Sequence, residues 1–325
     1  MAKRALDEIE LIKKRSMRKD DSASILTSRS NGEKVLYGIV FVLFAVYAFS
    51  ILYPLFYAFF RALQHKDDYL YVIKEIQGKG LSLNTIFYVS RGLQPNNFLL
   101  ALTELYDETA TGNVYLPGLI WNSIWYTFVG LIVAILTSTC TAYILSKYKF
   151  RGSEFIYAVG ITSMIIPVVG TMGSSFKLVS TLGLYDTFWF VPITSITAFG
   201  MAFLVMYGYF SNISWSYAEA VFIDGGGHLT VFTKIMMPQA SAAMVTMGIL
   251  NFIGRWNDYN TMLIFLPSYP TLASGLYRMG ETKIGQYNRP VYFAGLIIGT
   301  IPVIAMFVGF SDLIMGNFSI GGLKG

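Results

Sequence analysis

Two oppositely charged side chains, Arg255 and Asp258, interrupt a stretch from Gln239 to Leu266 that carries no other charge. A charge at membrane depth is costly and usually faces a polar pathway or a partner charge. Because residues three apart share one helix face, the two could instead neutralise each other. Both interpretations stay open, and our hypothesis is that the segment borders a polar pathway or its outer gate. The candidate pathway residues are Arg255, Trp256, Asn257, Asp258 and Tyr259.

Residue types that perform catalysis or bind metals are scarce in this chain. Cys140 is the single cysteine, which excludes an intrachain disulfide and a cysteine-based metal cluster. His65 and His228 are the only histidines and leave little for a histidine-ligated metal. An intramembrane enzyme would need a nucleophile with its base, or a metal constellation. We therefore predict no metal site and no enzymatic activity, and no feature indicates a nucleic-acid partner.

A second constellation lies in the polar segment 214–238. Ser216 and Glu219 have the spacing of a capping box, so the serine could cap a helix and the glutamate could reach back. Three glycines, residues 225–227, supply the backbone freedom that ends such a helix. A following helix would present Leu229, Phe232, Ile235 and Met236 on one face and then meet Pro238. A short helix pair with exposed apolar residues suits the groove of a partner protein.

Composition shows which elements must position these residues. Only 13% of the residues are charged and 54% are apolar, with a mean hydropathy of +0.53, so most of the chain is predicted to lie in lipid. A closed barrel is excluded because the apolar runs are continuous rather than alternating. The predicted fold is an all-α polytopic membrane protein with six transmembrane helices. The six predicted spans are residues 35–60, 118–146, 155–176, 187–210, 239–266 and 290–311.

Basic residues predict the orientation of the chain. Nine of the 24 Lys and Arg residues precede residue 35, and Lys147, Lys149 and Arg151 follow the second span. Lys and Arg concentrate on the cytoplasmic side of membrane proteins, so both termini are predicted to be cytoplasmic. The predicted division is a cytoplasmic arm 1–34, a transmembrane helix 35–61, an extracytoplasmic loop 62–117, a core 118–315 that contains the loop 214–238, and a cytoplasmic tail 316–325.

The segment 214–238 resembles the EAA motif of permease subunits of ATP-binding-cassette (ABC) importers. The matching residues are Glu219, Ala220, Asp224, Gly225, Phe232, Ile235 and Pro238. Val221 and Ala242 depart from the family pattern, which often has alanine and a second proline there. Residues 252–259 and 270–276 resemble the fifth-span region of maltose-type carbohydrate importers. The ending Gly321, Gly322, Lys324, Gly325 is similar to the tail of their second permease subunit, the type of the maltose permease G subunit.

The resemblance implies a permease subunit that moves a sugar or oligosaccharide across the cytoplasmic membrane. It also implies a second permease subunit, two ATPase subunits that bind ATP and Mg, and an extracytoplasmic solute-binding protein. The chain lacks the G-x-x-x-x-G-K-[ST] phosphate-binding motif, so ATP would be hydrolysed by the partner subunits. An alternative is an importer for a non-sugar solute such as a peptide or phosphate, because the EAA motif carries no cargo information.

By the same resemblance, segment 214–238 is the coupling helix that docks on the ATPase. Glu219 would pair with a basic residue there, Asp224 would hold the turn, and Gly225 would allow close packing. The glycine-rich tail would enter the interface between the two ATPase subunits. Arg255 stands where the resemblance predicts a small residue, and this departure favours an acidic saccharide. The loop 62–117 would contact the binding protein or serve as a packing cap, and the sequence does not decide between these.

Overall fold

The computed structural model describes residues 31–80, 82, 85, 87–166, 170–281 and 288–318. Within these ranges the regular secondary structure is helical apart from one antiparallel hairpin, strands β1 Tyr106–Thr109 and β2 Gly112–Tyr115. The helices in chain order are α1 Asn31–Ala62, α2 Lys66–Lys79, α3 Asn97–Glu104, α4 Leu116–Lys147, α5 Ser153–Ile165, α6 Met172–Thr181, α7 Phe190–Thr194, α8 Met201–Asn212, α9 Ser216–Ile223, α10 His228–Gln239, α11 Ser241–Trp256, α12 Asn260–Phe265, α13 Leu272–Glu281 and α14 Arg289–Phe318. The predicted all-α class is confirmed.

The chain divides into two compact units, residues 1–57 and 58–325, and each is described by itself. The described part of the first unit is residues 31–57 of α1, in which large apolar side chains such as Phe41 and Phe44 are exposed around the helix. A helix that is apolar on every side suits lipid rather than water. Residues 1–30 of the predicted arm lie outside the described residues.

Long apolar helices account for three of the six predicted spans. Among the described residues, the helices that are long and apolar enough to cross a membrane are Gly32–Ala62, Leu116–Lys147 and Arg289–Ser311. Helices α10 and α11 form a fourth candidate if the pair, bent by 71°, counts as one span. The predicted spans 155–176, 187–210 and 239–266 are therefore not continuous helices: each is divided among shorter elements. At the other end of the chain, α14 includes residues 316–318, which were predicted to belong to the tail.

The break between α7 and α8 is stabilised by hydroxyl groups of α4. Thr197 lies in this break, and its N–H donates to Thr137 Oγ1 at 3.2 Å. The hydroxyl of Ser138 donates to the carbonyl oxygen of Thr197 at 2.8 Å. Backbone groups at membrane depth must be satisfied within the protein, and side-chain hydroxyls of a neighbouring helix provide this. Apolar composition could not reveal the break, since the partners lie about 60 residues away.

Helix α4 runs through all three apolar clusters of the second unit. Near its start, Leu119 packs with α3, α13 and α14. In its middle, Tyr126 packs with α7 and α12, and near its end Tyr143 packs with α8 and α10. Side chains from each part of α4 are thus buried against different helices, so α4 is the central element that positions the others.

Residues 63–115, here called the α2–β2 module, fold over the region where α1 ends. Asn97 is buried, and its side-chain amide donates to the carbonyl oxygens of Ala62 at 2.8 Å and Gln64 at 2.9 Å. Asp107 is 2% exposed and lies 3.3 Å from Arg278 of α13. The predicted loop 62–117 therefore consists largely of ordered helices and a hairpin within its described residues.

The buried carboxylate of Asp68 orders one turn of this module. It accepts hydrogen bonds from Ser90 Oγ at 2.6 Å, from Ser90 N at 2.9 Å and from Arg91 N at 3.0 Å. Burial alone would raise the pKa of Asp68, but these hydrogen bonds and the nearby His65 outweigh it, so the pKa lies below its ordinary value. The stabilisation is present above the unfolded-state pKa of about 4 and is lost as the pH falls through the lower folded-state pKa.

Asp68→Asn is therefore expected to destabilise the turn around Ser90 by about 2 kcal/mol. The NH2 group of the asparagine side chain cannot accept the hydrogen bonds that Ser90 and Arg91 donate to the carboxylate. Amide hydrogen exchange of residues 87–97 in detergent-solubilised protein should quicken by roughly 30-fold at neutral pH. The adjacent Asp67→Asn is the matched control: it affects exposed contacts, an ion pair with Arg91 and a 3.7 Å contact with His65, which are worth under about 1 kcal/mol. Equal effects of the two substitutions would contradict the role of Asp68.

Candidate functional site

A large open cavity lies among helices α4, α6, α7, α11 and α12. Its volume is about 1020 Å³, and its wall combines apolar side chains with hydroxyl, amide and charged groups. The polar and aromatic lining residues are Tyr126, Ser175, Phe190, Thr194, Ser195, Asn251, Arg255, Asn257, Asp258, Tyr259, Asn260, Thr261 and Phe265. Four of the five residues predicted to line a pathway are in this wall, and Trp256 is not.

Arg255 is held at the cavity wall by neutral neighbours. Its Nε donates to Asn251 Oδ1 at 2.9 Å, one helical turn earlier in α11. The guanidinium carbon lies 5.8 Å from the centre of the Tyr126 ring, which is within the range of a cation–π contact. Gly130 of α4 makes room for the guanidinium, since a Cβ atom there would lie only 2.1 Å from the NH1 nitrogen of Arg255.

Asp258 is bonded separately from Arg255. Its Oδ2 accepts from the Tyr126 hydroxyl at 2.7 Å, and its Oδ1 accepts from Thr261 N at 3.1 Å, at the start of α12. Helix α11 ends at Trp256, so the helical geometry that would bring residues three apart together is lost before Asp258. Among the described residues, no nitrogen of Arg255 lies within 4.0 Å of an Asp258 oxygen. The alternative of a direct ion pair does not hold in this structure.

Trp256 points away from the cavity into the apolar core. It is 5% exposed, its ring stacks on Phe252 at 5.6 Å, and its indole N–H donates to the carbonyl oxygen of Gly299 in α14 at 3.1 Å. Tyr259 does line the cavity and stacks on Tyr277 at 4.5 Å. Trp256 is absent from the wall of the large cavity, but with Asn257 and Tyr259 it lines a separate cavity of about 400 Å³ beside α13 and α14. Its assignment to the pathway stays a prediction.

The cavity contains residues that sequence reasoning did not select. Tyr126 contacts both charged side chains, and Asn251 bonds to one of them. Asn251 lies four residues before Arg255, a spacing that predicts contact on a helix and could have identified it. Tyr126 gave no comparable signal, because it is 132 residues from Asp258 and aromatic residues are frequent throughout the chain.

The turn after α9 has the hydrogen bonds of a Schellman motif. Gly226 N donates to Val221 O at 2.8 Å and Gly225 N donates to Phe222 O at 3.1 Å. Gly225 has φ +79°, the left-handed conformation that glycine adopts without strain. A side chain at Gly226 would meet Val221, with its Cβ 2.5 Å from Cγ1. The predicted glycine stop therefore depends on Gly225 for its conformation and on Gly226 for close approach.

The predicted capping box at Ser216 is wrong. Trp215 already has helical backbone angles, and its carbonyl accepts from Ala218 N and Glu219 N at 2.8 and 3.2 Å. Ser216 is therefore the first residue of α9 rather than its cap, and the helix start has no side-chain cap. Ser214 Oγ accepts from Ser216 N at 3.3 Å, which moves the polar contact two residues upstream.

Apolar residues of α10 that were predicted to lie on one exposed face pack against the rest of the protein instead. Met236 is fully buried, and Phe232 stacks on Tyr143 of α4 at 4.7 Å. Residues 231–236 form a π-helix, in which Met237 N donates to Phe232 O. Pro238 has no N–H for an ordinary α-helical bond to Lys234, and the wider π-helical turn lies directly before it.

The predicted coupling residues therefore divide into two groups. Glu219, Ala220, Asp224, Gly225 and Pro238 are exposed, whereas Phe232 and Ile235 are half-buried. Two further apolar side chains protrude beside the exposed group, since Ile223 is 86% and Leu229 is 74% exposed. The remaining predicted contact residues, Gly321, Gly322, Lys324 and Gly325 of the tail, lie outside the described residues.

The basic turn after α4 contacts the α9–α10 pair. Lys147 Nζ donates to the carbonyl oxygen of Ile213 at 2.5 Å, just before α9. The Tyr148 hydroxyl and His228 Nδ1 are 2.8 Å apart, which joins the same turn to the start of α10. The exposed helix pair and the cluster of Lys147, Lys149 and Arg151 thus lie at the same end of the structure.

Comparison with known proteins places this architecture among transport components. Residues 139–318 match the family described as "Binding-protein-dependent transport system inner membrane component". The chain is 26% identical to the probable ABC transporter permease protein YurM of Bacillus subtilis over 88% of both proteins. It is 27% identical to AraQ, the arabinooligosaccharides transport system permease protein of Halalkalibacterium halodurans, over 74% of this chain and 83% of the relative.

A solved structure has the same fold. It is a chain of a bacterial ABC transporter described as involved in the import of the acidic polysaccharide alginate. The two structures superpose with a TM-score of 0.68 at 20% sequence identity, over 87% of this chain and 98% of the other.

Proposed function

The chain belongs to the family of inner membrane components of binding-protein-dependent transport systems, and from this premise we propose that it is the permease subunit of an ATP-driven importer of a sugar or oligosaccharide. Its apolar helices span the membrane. The observation that carries the proposal is the exposed end of α9, which is held in a defined turn and presents charged and apolar residues to a partner.

The exposed end of α9 has the properties of a docking surface. Ile223 and Leu229 on either side of the glycine turn are 86% and 74% exposed, and we propose that the partner covers them. Glu219 is available to pair with a basic residue of an ATPase subunit. Gly225 has open space where its Cβ would be, since no atom of the described residues lies within 4 Å of that position. We infer that Phe232 and Ile235 contribute by seating α10 on the core.

The same end of the structure is proposed to face the cytoplasm. Lys147 and its basic neighbours contact the α9–α10 pair, and basic residues concentrate on the cytoplasmic side of membrane proteins. The arm 1–34 and the tail 316–325 are then cytoplasmic, and residues 62–117 are extracytoplasmic. The core of the permease is residues 118–315.

The cargo class is supported by two features. The relative AraQ belongs to an arabinooligosaccharide transport system by its name. The cavity wall offers amide, hydroxyl, carboxylate and guanidinium groups together with the exposed ring of Tyr259, and these suit a ligand rich in hydroxyl groups. Arg255, Asn257, Asp258 and Tyr259 are the proposed pathway residues of this wall.

The proposal assigns ATP hydrolysis to other subunits. Two ATPase subunits would bind ATP and Mg, a second permease subunit would complete the pathway, and a solute-binding protein would deliver the cargo. The tail residues Gly321, Gly322, Lys324 and Gly325 are proposed to contact the ATPase pair.

Reconstitution tests this function directly. Liposomes that contain this chain, its second permease and the ATPase subunits should accumulate a labelled oligosaccharide when the binding protein is outside and ATP is inside. Liposomes with this chain alone should not accumulate it, and omission of either ATP or binding protein should abolish uptake. Uphill transport by the chain alone, or uptake of amino acids in place of saccharides by the full complex, would contradict the proposal.

A further inference from the structure

The geometry points to Arg255 as a specificity residue for an acidic group, and we propose that the cargo is a saccharide bearing a carboxylate, such as a uronic acid. The inference rests on the proposed function, because it assigns one property of the imported saccharide. It depends on the surroundings of one guanidinium group and on its place between two cavities.

The first argument concerns the charge balance of the cavity wall. Arg255 is the one Lys or Arg side chain among the described lining residues, and Asp258 is the one Asp or Glu. The Asp258 carboxylate already accepts two hydrogen bonds, from the Tyr126 hydroxyl and Thr261 N. Arg255 has neutral neighbours: an amide oxygen of Asn251 and the ring of Tyr126. The Asp258 carboxylate is thus hydrogen-bonded, whereas the Arg255 guanidinium has no anionic partner within 4.0 Å in the described structure.

The guanidinium of Arg255, which has no anionic partner in the described structure, is unfavourable within a membrane-spanning segment. Its insertion costs a few kcal/mol, and such residues mark sites where a ligand or ion passes. Neutral hydroxyl groups could be bound by asparagine or glutamine at lower cost. A guanidinium instead presents parallel N–H donors that match the two oxygens of a carboxylate. Since Nε is bonded to Asn251, the outer nitrogens of Arg255 remain for a ligand.

The second argument concerns position. A smaller cavity of about 300 Å³ lies beside the large one, among α4, α8 and α11. Leu250, Asn251 and Arg255 line both. A ligand that moves from one cavity to the other therefore passes the guanidinium group. Asp258 lies only in the wall of the large cavity, where Asn257 and Asn260 accompany it, and this part of the wall suits the hydroxyl groups of the same saccharide.

Gly130 provides a way to move the guanidinium without removing its charge. A methyl group at this position would overlap NH1 and Cζ of Arg255, at 2.1 and 2.5 Å, so the flexible side chain must shift. Gly130→Ala thus displaces the group from its place between the cavities. Gly248→Ala on α11 is the matched control, since a Cβ there meets no atom within 4 Å and Gly248 is absent from both cavity walls.

The test measures uptake of labelled trigalacturonate and of neutral galactotriose by the reconstituted complex, with the affinity of the binding protein for each sugar determined separately. Wild type is expected to transport trigalacturonate. Arg255→Gln should lower the ratio of acidic to neutral uptake by at least about ten-fold, as expected for loss of a hydrogen bond to a charged group. Arg255→Lys should retain part of that ratio, Gly130→Ala should lower it, and Gly248→Ala should leave it unchanged.

The outcomes separate the inference from the function on which it rests. Transport of neutral saccharides alone would overturn the acidic specificity and leave the saccharide importer intact. An unchanged acidic-to-neutral ratio in both Arg255→Gln and Gly130→Ala would also overturn it. Transport of no saccharide by a complex that still moves another solute would refute the proposed function itself. If Arg255→Gln does not assemble, Gly130→Ala carries the test alone, because it keeps the charge and alters only its position.

Discussion

Gly225→Leu is expected to abolish ATP-driven uptake while the chain still inserts into the membrane and assembles with the second permease. Gly225 has φ +79°, and a leucine there would be strained by about 1–2 kcal/mol. A Cβ at this position meets no atom of the described residues within 4 Å, so the side chain would project into the space proposed for the ATPase. Uptake into the reconstituted liposomes, with ATPase activity measured in parallel, reports the loss of coupling.

Two further substitutions separate backbone strain from the loss of docking. Gly225→Asn places a side chain in the same space, but asparagine tolerates the left-handed conformation, so it should still reduce uptake strongly. Gly227→Ala is the control, since Gly227 has φ −98° and open space around its Cβ. It should transport at the wild-type rate. Normal uptake by both Gly225 variants would remove the docking role of this turn.

Trp256→Ala is expected to destabilise the permease by about 3 kcal/mol, because a large buried side chain is lost from the core. The indole ring packs on Phe252, and its N–H bonds to Gly299, so it joins α11 to α14. Trp256→Phe should cost only about 1 kcal/mol, the typical value of one hydrogen bond. Thermal unfolding of the detergent-solubilised complex measures both differences.

Transport by these variants distinguishes packing from pathway contact. Trp256→Phe should import cargo with an unchanged affinity, since Trp256 does not line the cavity. Tyr259→Ala is the matched comparison: Tyr259 is 36% exposed and lines the cavity, so its replacement should alter uptake with little effect on unfolding. A Trp256→Phe variant with normal stability and altered cargo affinity would instead support the prediction that Trp256 borders the pathway.

Most of the framework was predictable from local properties of the chain. Continuous apolar runs predicted α1, α4 and α14, because a helix that spans lipid needs about 20 such residues wherever they occur. The glycine stop after α9 was also predictable, since the left-handed turn depends on Gly225 itself. The family resemblance was confirmed, because the motif that carries it is contiguous in sequence.

Other features could not follow from local patterns. The capping box failed because Trp215 begins the helical turn earlier, which the spacing of Ser216 and Glu219 does not encode. Phe232, Ile235 and Met236 of α10 were expected to be exposed, but they are buried or half-buried, with Phe232 packed against Tyr143 of α4, a contact that lies far away in sequence. The predicted fourth span is divided because hydroxyl groups of α4 satisfy the backbone of Thr197.

Amino-acid order alone was sufficient to predict that this chain is helical and membrane-spanning, and to locate the glycine turn for which we propose a docking role, because hydrophobicity and glycine conformation act over a few neighbouring residues. Tertiary packing decided which side of α11 faces the cavity and which faces the core. Tyr126 separates Arg255 from Asp258, and Gly299 receives the indole of Trp256. These contacts join residues that are 43 to 132 positions apart in the sequence. They form only once the helices have packed against each other, so local sequence patterns do not predict them.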